Sequence, residues 1–183
     1  EHHLDLHAPL PHAGDRAPLR RAAALGPVAD LACGLGRHCL AAAAEGLPVV
    51  GFDRNAVSLR ALQTEARRRA LRVDCVLTDL EAQHGIPLKP GSCGAILVFR
   101  FLFRPLAATI SEALVPGGLL LYETFTKAQL AFSSGPRNPD HLLAEGELAG
   151  LFPDLEILSH AEGLSPGEKP TTWARLAARK PPR

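Results

Sequence analysis

The stretch Val28-Ala-Asp-Leu-Ala-Cys-Gly-Leu-Gly36 constrains the fold more than any other part of the chain. A short apolar run ends in a turn of small residues, and an apolar helical pattern follows directly. Glycines in such a turn let the backbone approach a ligand closely because they carry no Cβ. In a doubly wound sheet this turn lies where the strand order reverses, which is where cofactors bind. The alternative is a plain strand-to-helix turn that uses two glycines.

From Val28 onward, short apolar runs alternate with longer amphipathic stretches, which is typical of βα units that build a parallel sheet. Seven strands are predicted, at Val28–Ala32, Val49–Asp53, Val73–Thr78, Ala95–Phe99, Leu119–Thr124, Leu155–His160 and Trp173–Ala178. Helices are predicted at Arg37–Glu45, Ala56–Leu71, Pro105–Leu114 and Ala144–Leu151. The link between the last two strands is too short for a crossover helix, which favours an antiparallel pair there.

Length and composition indicate one domain of ordinary size, since the chain has 183 residues, of which 46% are hydrophobic. Residues 1–26 are interpreted as a lead-in with a short helix at Pro18–Leu25, and residues 27–183 as the domain itself. No apolar run approaches the roughly 20 residues that span a bilayer. The four cysteines form no CxxC pair, so reduced thiols in the cytoplasm are expected.

Three acidic residues sharpen the interpretation of the glycine turn. A dinucleotide fingerprint would need glycine where this chain has Cys39, whereas Asp30 stands before the glycines. Asp53 ends the second strand about 20 residues beyond the first glycine, where an acid can bind both hydroxyls of a ribose. Helix N-capping is the alternative role for Asp53. Asp79 follows the third strand, where a carboxylate can accept a hydrogen bond from an adenine amino group while Leu80 packs on the purine.

These segments, followed by Pro116-Gly-Gly-Leu-Leu-Leu-Tyr-Glu-Thr-Phe, resemble the class I S-adenosylmethionine-dependent methyltransferases. Within that class the chain is most similar to a small bacterial group related to tellurite-resistance methyltransferases. The resemblance runs from about Val28 to Lys180. It implies an α/β fold, a Rossmann-like doubly wound sheet of seven strands that is mostly parallel, with the last strand antiparallel and helices on both faces.

The resemblance also implies S-adenosylmethionine as the cofactor, without a metal. It places the cofactor against a set of residues after the first four strands: Asp30, Ala32, Cys33, Gly34, Gly36, Asp53, Arg54, Asp79, Leu80, Phe99 and Arg100. Two positions depart from the family pattern. Ala32 stands where many members have glycine, and Gly94 where an aspartate is common. The Asn/Asp-Pro-Pro-Tyr signature of amino-group methylases is also missing after the fourth strand, which argues against a base-flipping enzyme.

The sequence identifies no catalytic residue, because methyl transfer from a sulfonium needs mainly alignment of donor and acceptor. Candidates for the substrate pocket follow the fourth and fifth strands and occupy the long irregular stretch after them: Arg100, Arg104, Tyr122, Glu123, Arg137 and Asn138. Arginines in such a pocket suit carboxylates and oxyanions. The alternatives are surface ion pairs for the two arginines after the fourth strand, a charge that merely ends a strand for Glu123, and a mobile surface loop for Arg137 and Asn138.

The function predicted is therefore methyl transfer to a small molecule or oxyanion by a monomer or homodimer. RNA or protein methylation is the first alternative. A net charge of +1 argues against a broad nucleic-acid surface, so a nucleic-acid partner is not expected. A non-catalytic module that binds S-adenosylmethionine is the second. A nicotinamide enzyme ranks third because of Cys39. Scattered histidines without a ligand spacing predict no metal site.

Overall fold

The sheet has seven strands in the order β3-β2-β1-β4-β5-β7-β6. A computed structural model describes residues 17–82 and 86–182, so the first 16 residues of the predicted lead-in lie outside the described part. The strands are β1 (Val28–Leu31), β2 (Val49–Asp53), β3 (Asp74–Leu77), β4 (Cys93–Phe99), β5 (Leu114–Phe125), β6 (Glu156–Ser165) and β7 (Thr171–Arg179). Strand β7 runs antiparallel to both of its neighbours, and the pairs among the first five strands are parallel. The predicted fold class is confirmed.

Helices pack on both faces of this sheet. They are α1 (Ala17–Ala23), α2 (Arg37–Ala44), α3 (Ala56–Arg68), α4 (Ala107–Ala113) and α5 (Glu147–Gly150). Strand β4 shows why two layers are needed, since Ile96 and Val98 enter the core on one face and Leu97 and Phe99 the core on the other. A strand buried on both faces is apolar throughout, as β4 is. None of the described helices is long and apolar enough to cross a membrane.

All four helices predicted in the domain are shorter than expected: the one predicted at Arg37–Glu45 ends at Ala44 and the one at Ala56–Leu71 ends at Arg68. The other two differ for local reasons. The predicted Ala144–Leu151 helix shortens to Glu147–Gly150, because Gly146 has a left-handed φ of 71° and the Glu147 carboxylate accepts the Ala144 N–H instead. The predicted helix at Pro105–Leu114 is a 3-10 turn, Arg104–Leu106, followed by α4, and Leu114 already belongs to β5.

The hairpin of β6 and β7 is longer than the sequence predicts. Pairing continues to Ser165 and Thr171, so only Pro166–Pro170 form the link. The residues from Glu162 to Ser165, which contain Gly163, do not read as a strand on their own. Backbone pairing with β7 nevertheless extends the strand through them. Gly163 leaves room for Trp173, since a Cβ on Gly163 would lie 2.5 Å from the indole ring.

The unusual Gly94 is explained by the packing of the N-terminal helix. A Cβ at this position would lie 2.1 Å from the carbonyl oxygen of Ala22 and 2.5 Å from that of Gly26. The end of α1 and the following turn therefore sit directly on the start of β4. A side chain such as the aspartate common in the class would displace α1 from the sheet.

Candidate functional site

The glycine turn between β1 and α2 is held in a left-handed conformation. Ala32, Gly34 and Gly36 have φ values of 55°, 54° and 74°. A Cβ on Gly36 would lie 2.3 Å from the Leu62 side chain of α3, whereas a Cβ on Gly34 would have no neighbour within 4 Å. Gly36 is thus required for packing, and Gly34 faces open space. The two glycines of the motif serve different purposes.

Asp53 joins the turn to the end of β2. One carboxylate oxygen accepts the N–H of Gly34 at 2.8 Å, and the other accepts the N–H of Asn55 at 2.8 Å. The helix cap belongs to Asn55, whose side chain accepts the N–H groups of Val57 and Ser58. The alternative role of Asp53 as the cap of α3 is therefore wrong. An ionised carboxylate offers about four acceptor positions, so about two remain open.

A cleft of about 210 Å³ opens beside Asp53 at the carboxyl ends of the strands. Five of its lining residues are sequence-predicted cofactor contacts, and Phe101, Thr78 and Glu81 are additions: Ala32, Asp53, Arg54, Thr78, Asp79, Leu80, Glu81 and Phe101. Leu80 is buried, and Asp79 accepts the N–H of Glu81 at 3.0 Å. This cleft lies on the β2 and β3 side of the glycine turn, with one apolar wall from Phe101.

Asp30 lies under the turn, with only 1% of its surface exposed. The Cys39 thiol donates to its carboxylate at 3.2 Å. Burial raises the pKa of Asp30 to about 7, an effect that the Cys39 hydrogen bond and the Arg37 charge only partly offset. The side chain therefore supports the turn from below.

Four charged residues gather where β4 and β5 end, on the α2 side of the sheet. Glu123 is buried and accepts a hydrogen bond from Nε of Arg175 at 2.6 Å on the neighbouring strand. The carbonyl oxygen of Glu123 accepts the N–H of Arg100, which has a left-handed φ of 57°. Arg37 extends from the first turn of α2 and donates from Nε to Nε2 of His38 at 3.0 Å. In the described part of the chain, no carboxylate lies within 4.0 Å of Arg37 or Arg100.

This cation cluster, defined as Arg37, Arg100 and Arg175 around Glu123, has electrostatic consequences. Burial lowers the pKa of the Arg37 guanidinium, and the Arg100 charge lowers it further. His38 stacks on Phe99 with ring centroids 3.8 Å apart. Burial and the charges of Arg37 and Arg100 lower the pKa of His38 to about 3, so its ring is neutral near pH 7. Three guanidinium groups face one paired carboxylate, which leaves excess positive charge.

Residues 28–118 match the family described as a methyltransferase domain. This range includes the glycine turn, every residue that lines the cleft, and β4.

Residues 28–118 are a methyltransferase domain.

The resemblance to S-adenosylmethionine-dependent methyltransferases, drawn from the sequence, is thereby confirmed, and the family implies S-adenosylmethionine as the methyl donor. No curated protein sequence matches the chain significantly.

Solved structures of known proteins share the fold of this methyltransferase domain. TehB from Haemophilus influenzae is 23% identical, with 89% of this chain and 61% of TehB covered and a TM-score of 0.71. A SAM-dependent methyltransferase from Methanosarcina mazei is 18% identical, with 86% and 93% covered and a TM-score of 0.68. The [4+2]-cyclase SpnF is 19% identical, with 98% and 85% covered and a TM-score of 0.69. The chain thus spans less than two thirds of TehB, and at these identities the similarity establishes the fold.

The substrate-pocket candidates predicted from the sequence fall into two groups. Arg100 and Glu123 belong to the cation cluster. The other four make hydrogen bonds within the protein. Tyr122 is buried and donates to the carbonyl oxygen of Phe101 at 3.0 Å, and burial raises the pKa of its hydroxyl. Arg137 donates to the carbonyl oxygen of Phe132, and the Asn138 side chain accepts the N–H of Asp140 at 3.0 Å.

Arg104 forms a clamp between the segment after β4 and the stretch that precedes α5. Its guanidinium binds both carboxylate oxygens of Glu147, at 2.5 and 3.0 Å. It also donates to the carbonyl oxygens of Asp140 and Leu142, at 2.7 and 3.0 Å. Four hydrogen bonds to the protein leave this guanidinium little capacity for a ligand.

Sequence reasoning did not assign Arg37, Arg175 or Phe101 to the site. Arg37 directly follows the last glycine of the turn, a position that could have signalled it. Arg175 lies on β7, and only the pairing of β7 with β5 brings it to Glu123. Phe99 was predicted near the cofactor, but its ring is buried under His38, and Phe101 is the aromatic residue that lines the cleft.

Proposed function

We propose that this protein binds S-adenosylmethionine across the glycine turn and the cleft, and methylates a small molecule or oxyanion at the cation cluster. The observation that carries the proposal is the position of the turn. It has the cleft beside Asp53 on one side and the Arg37 guanidinium, which no carboxylate of the described residues pairs with, on the other.

The cleft residues fit the adenosine part of the donor. Asp53 has free acceptor capacity for two ribose hydroxyls, and hydrogen bonds from Gly34 and Asn55 hold its carboxylate in place. Asp79 at the rim offers an acceptor for an amino group, and Leu80 and Phe101 provide apolar surface for a purine. The open side of Gly34 leaves room for the methionine part.

The bound donor supplies an activated methyl group, so the protein must mainly align the acceptor with it. The cation cluster is suited to attract and orient a negatively charged acceptor, since guanidinium groups bind carboxylates and oxyanions in fixed geometry. Glu123 orients Arg175 through the 2.6 Å contact. We propose no base among these residues, because an acceptor whose attacking atom is already deprotonated has no proton to lose there.

Turnover tests this function directly. The purified protein is supplied with S-adenosylmethionine that carries a labelled methyl group, together with a panel of thiols, phenols, carboxylates, selenite and tellurite. We expect label transfer to an anionic member, and we expect Arg37→Gln to raise the KM for that acceptor while the affinity for S-adenosylhomocysteine is kept. Arg67→Gln, on an exposed face of α3, serves as the matched control. Transfer to neutral acceptors only, with Arg37→Gln unchanged, would contradict the charge assignment.

The two alternatives have distinct outcomes. A non-catalytic module would bind S-adenosylhomocysteine without any turnover. An RNA methyltransferase would bind RNA with a steep salt dependence. The structure disfavours RNA binding at α3, because Glu65 forms ion pairs with Arg68 at 2.7 Å and with Arg69 at 2.5 Å. Two of the three consecutive arginines on this helix are therefore already paired with a carboxylate. Filter binding that shows no salt-dependent RNA retention would remove this alternative.

A further inference from the structure

Strand β6 forms an exposed edge of the sheet. Nine of its ten residues are exposed, and among the described residues it pairs with β7 alone. Three of the eight exposed large apolar residues in the described part of the chain lie on it, namely Ile157 (41%), Leu158 (46%) and Leu164 (51%). The strand is bulged at Leu158, and Ser159–Ser165 pair regularly with β7. Unpaired backbone groups on a long apolar edge are a template for another strand.

The geometry of a two-fold dimer limits how β6 can pair with itself. Antiparallel strands that continue one sheet are related by an axis perpendicular to that sheet, so each residue must oppose one from the same face. The two positions in every pair then differ by an even number, and a single residue lies on the axis. Only a few registers satisfy this condition over Ser159–Ser165, the part of β6 that alternates regularly beyond the bulge.

One of these registers is complementary. With Ala161 on the axis, His160 opposes Glu162 of the second copy and Ser159 opposes Gly163. Leu164 then lies beside the bulge at Leu158 of the second copy. Every regular pair joins a base with an acid or residues of which at least one is small, and two exposed leucines lie next to each other.

The neighbouring registers are worse matched. An axis at His160 places two imidazoles against each other. An axis at Glu162 opposes two carboxylates directly, which is destabilising. Glu162 already accepts the N–H of Gly146 at 2.8 Å and lies 3.6 Å from His160 of its own chain. These contacts hold the carboxylate on the face where the His160 of a second copy would arrive.

We propose that β6 is a self-association edge, at which two copies of this chain pair their β6 strands antiparallel about Ala161. The sheet then continues from one copy into the other. Pairing along one strand buries a small area, so the dimer is weak and depends on protein concentration. The donor cleft lies beyond β4 in the strand order and stays accessible.

Sedimentation velocity over a range of protein concentrations tests the association. We expect a reversible monomer–dimer equilibrium that Leu158→Lys and Leu164→Lys each weaken at least tenfold, because each substitution places two lysines at the shared edge. Leu77→Lys is the matched control, since Leu77 is 61% exposed on β3 at the opposite edge of the sheet. A protein that is monomeric at every concentration, or a dimer that only Leu77→Lys weakens, would overturn the proposal.

Cysteine cross-linking tests the register. In Ala161→Cys the two new thiols face each other on the axis at a Cβ separation of about 5 Å, so mild oxidation should yield a covalent dimer. Ser159→Cys is the control, because it opposes Gly163 and is offset from its own copy. Cross-linking of Ser159→Cys but not of Ala161→Cys would exclude this register. The native cysteines are common to both variants and cancel in the comparison.

Discussion

Residues of the glycine turn have two different roles: one packs the turn against α3, and another leaves space open beside it. Gly36 is packed against Leu62, and Gly34 faces empty space although both have a left-handed φ. Glycine is thus needed at position 36 because a side chain would clash there, and at position 34 because a side chain would fill open space at the turn. Asp53 connects this turn to β2 through its carboxylate.

Alanine at the two glycines should separate stability from binding. Gly36→Ala should lower the free energy of unfolding by about 3 kcal/mol, since it adds left-handed strain and a clash with Leu62. Gly34→Ala should cost only about 1 kcal/mol of strain but weaken S-adenosylhomocysteine binding, because its methyl group projects into open space at the turn. Urea titration and calorimetry measure the two effects. Equal losses of stability in both variants would contradict the distinction.

Asp53→Ala should weaken S-adenosylhomocysteine binding at least about tenfold, because charge-assisted hydrogen bonds to the ribose and to the Gly34 N–H disappear together. Isothermal calorimetry measures the affinity. Asp74→Ala, which removes an exposed carboxylate on β3, should leave it unchanged. An unaltered affinity in Asp53→Ala would count against the ribose assignment.

Asp30 and His38 make opposite contributions to the pH dependence of stability. The pKa of Asp30 is raised from 3.8 to about 7, so its contribution is present at low pH and is lost as the pH rises through 7. The pKa of His38 is lowered from 6.5 to about 3, so its contribution is present above pH 6.5 and is lost as the pH falls toward 3.

Between pH 4 and 6.5 the two contributions should largely cancel, and single substitutions should reveal each one. Asp30→Asn should make the free energy of unfolding rise more steeply with pH than in the parent protein. His38→Gln should make it fall, with each slope changed by up to about 1.4 kcal/mol per pH unit. Urea unfolding at pH 4.5, 5.5 and 6.5 measures these slopes. Identical slopes in the two variants would refute the assignment.

At the scale of elements, Arg104 decides how the long segment after β5 is held. The sequence suggested a binding loop here, and the structure shows 3-10 turns at Lys127–Ala131 and Pro139–His141 followed by α5. Arg104 binds the second turn and α5 together, so the segment is anchored at this end. A role for Arg137 and Asn138 in substrate binding stays a prediction.

Arg104→Lys should loosen this segment without unfolding the sheet, because an ammonium cannot reproduce the two-pronged contact with Glu147. We expect hydrogen exchange of the Leu142 and Ala144 amides to accelerate about tenfold, which corresponds to about 1.4 kcal/mol of local stability. Arg179→Lys, at the exposed Glu156 bridge, is the control and should leave these amides unchanged. Unchanged exchange in Arg104→Lys would show that other contacts hold the segment.

For the whole molecule, binding of the donor product should report on the native fold by mass action. S-adenosylhomocysteine at about 100 times its Kd should stabilise the protein by about 2.7 kcal/mol. For a chain of this size, that corresponds to an increase in Tm of about 5 to 10 °C. A thermal-shift titration measures it, and Asp53→Ala should need correspondingly more ligand. A flat titration would contradict the proposed cofactor site.

The sequence by itself determined the succession of strands and helices along the chain, the position of the glycine turn and the acids at the ends of β2 and β3. These features are local, because hydrophobic periodicity and turn residues express backbone preferences over a few neighbours. The helix start at Ala56 and the bounds of β2 were predicted correctly for that reason. The exclusion of a dinucleotide fingerprint by Cys39 likewise needed only spacing.

Tertiary structure alone decided which charged residues share a site. Arg37 and Arg175 are 138 positions apart in the chain, and they approach Glu123 only because β7 inserts beside β5 and the start of α2 lies over the end of β4, where His38 stacks on Phe99. Arg104 and Tyr122 were plausible pocket residues until their partners, Glu147 and the Phe101 carbonyl, were seen. A side chain's role depends on the groups that satisfy its hydrogen bonds, and those partners are set by strand order and packing across distant parts of the chain.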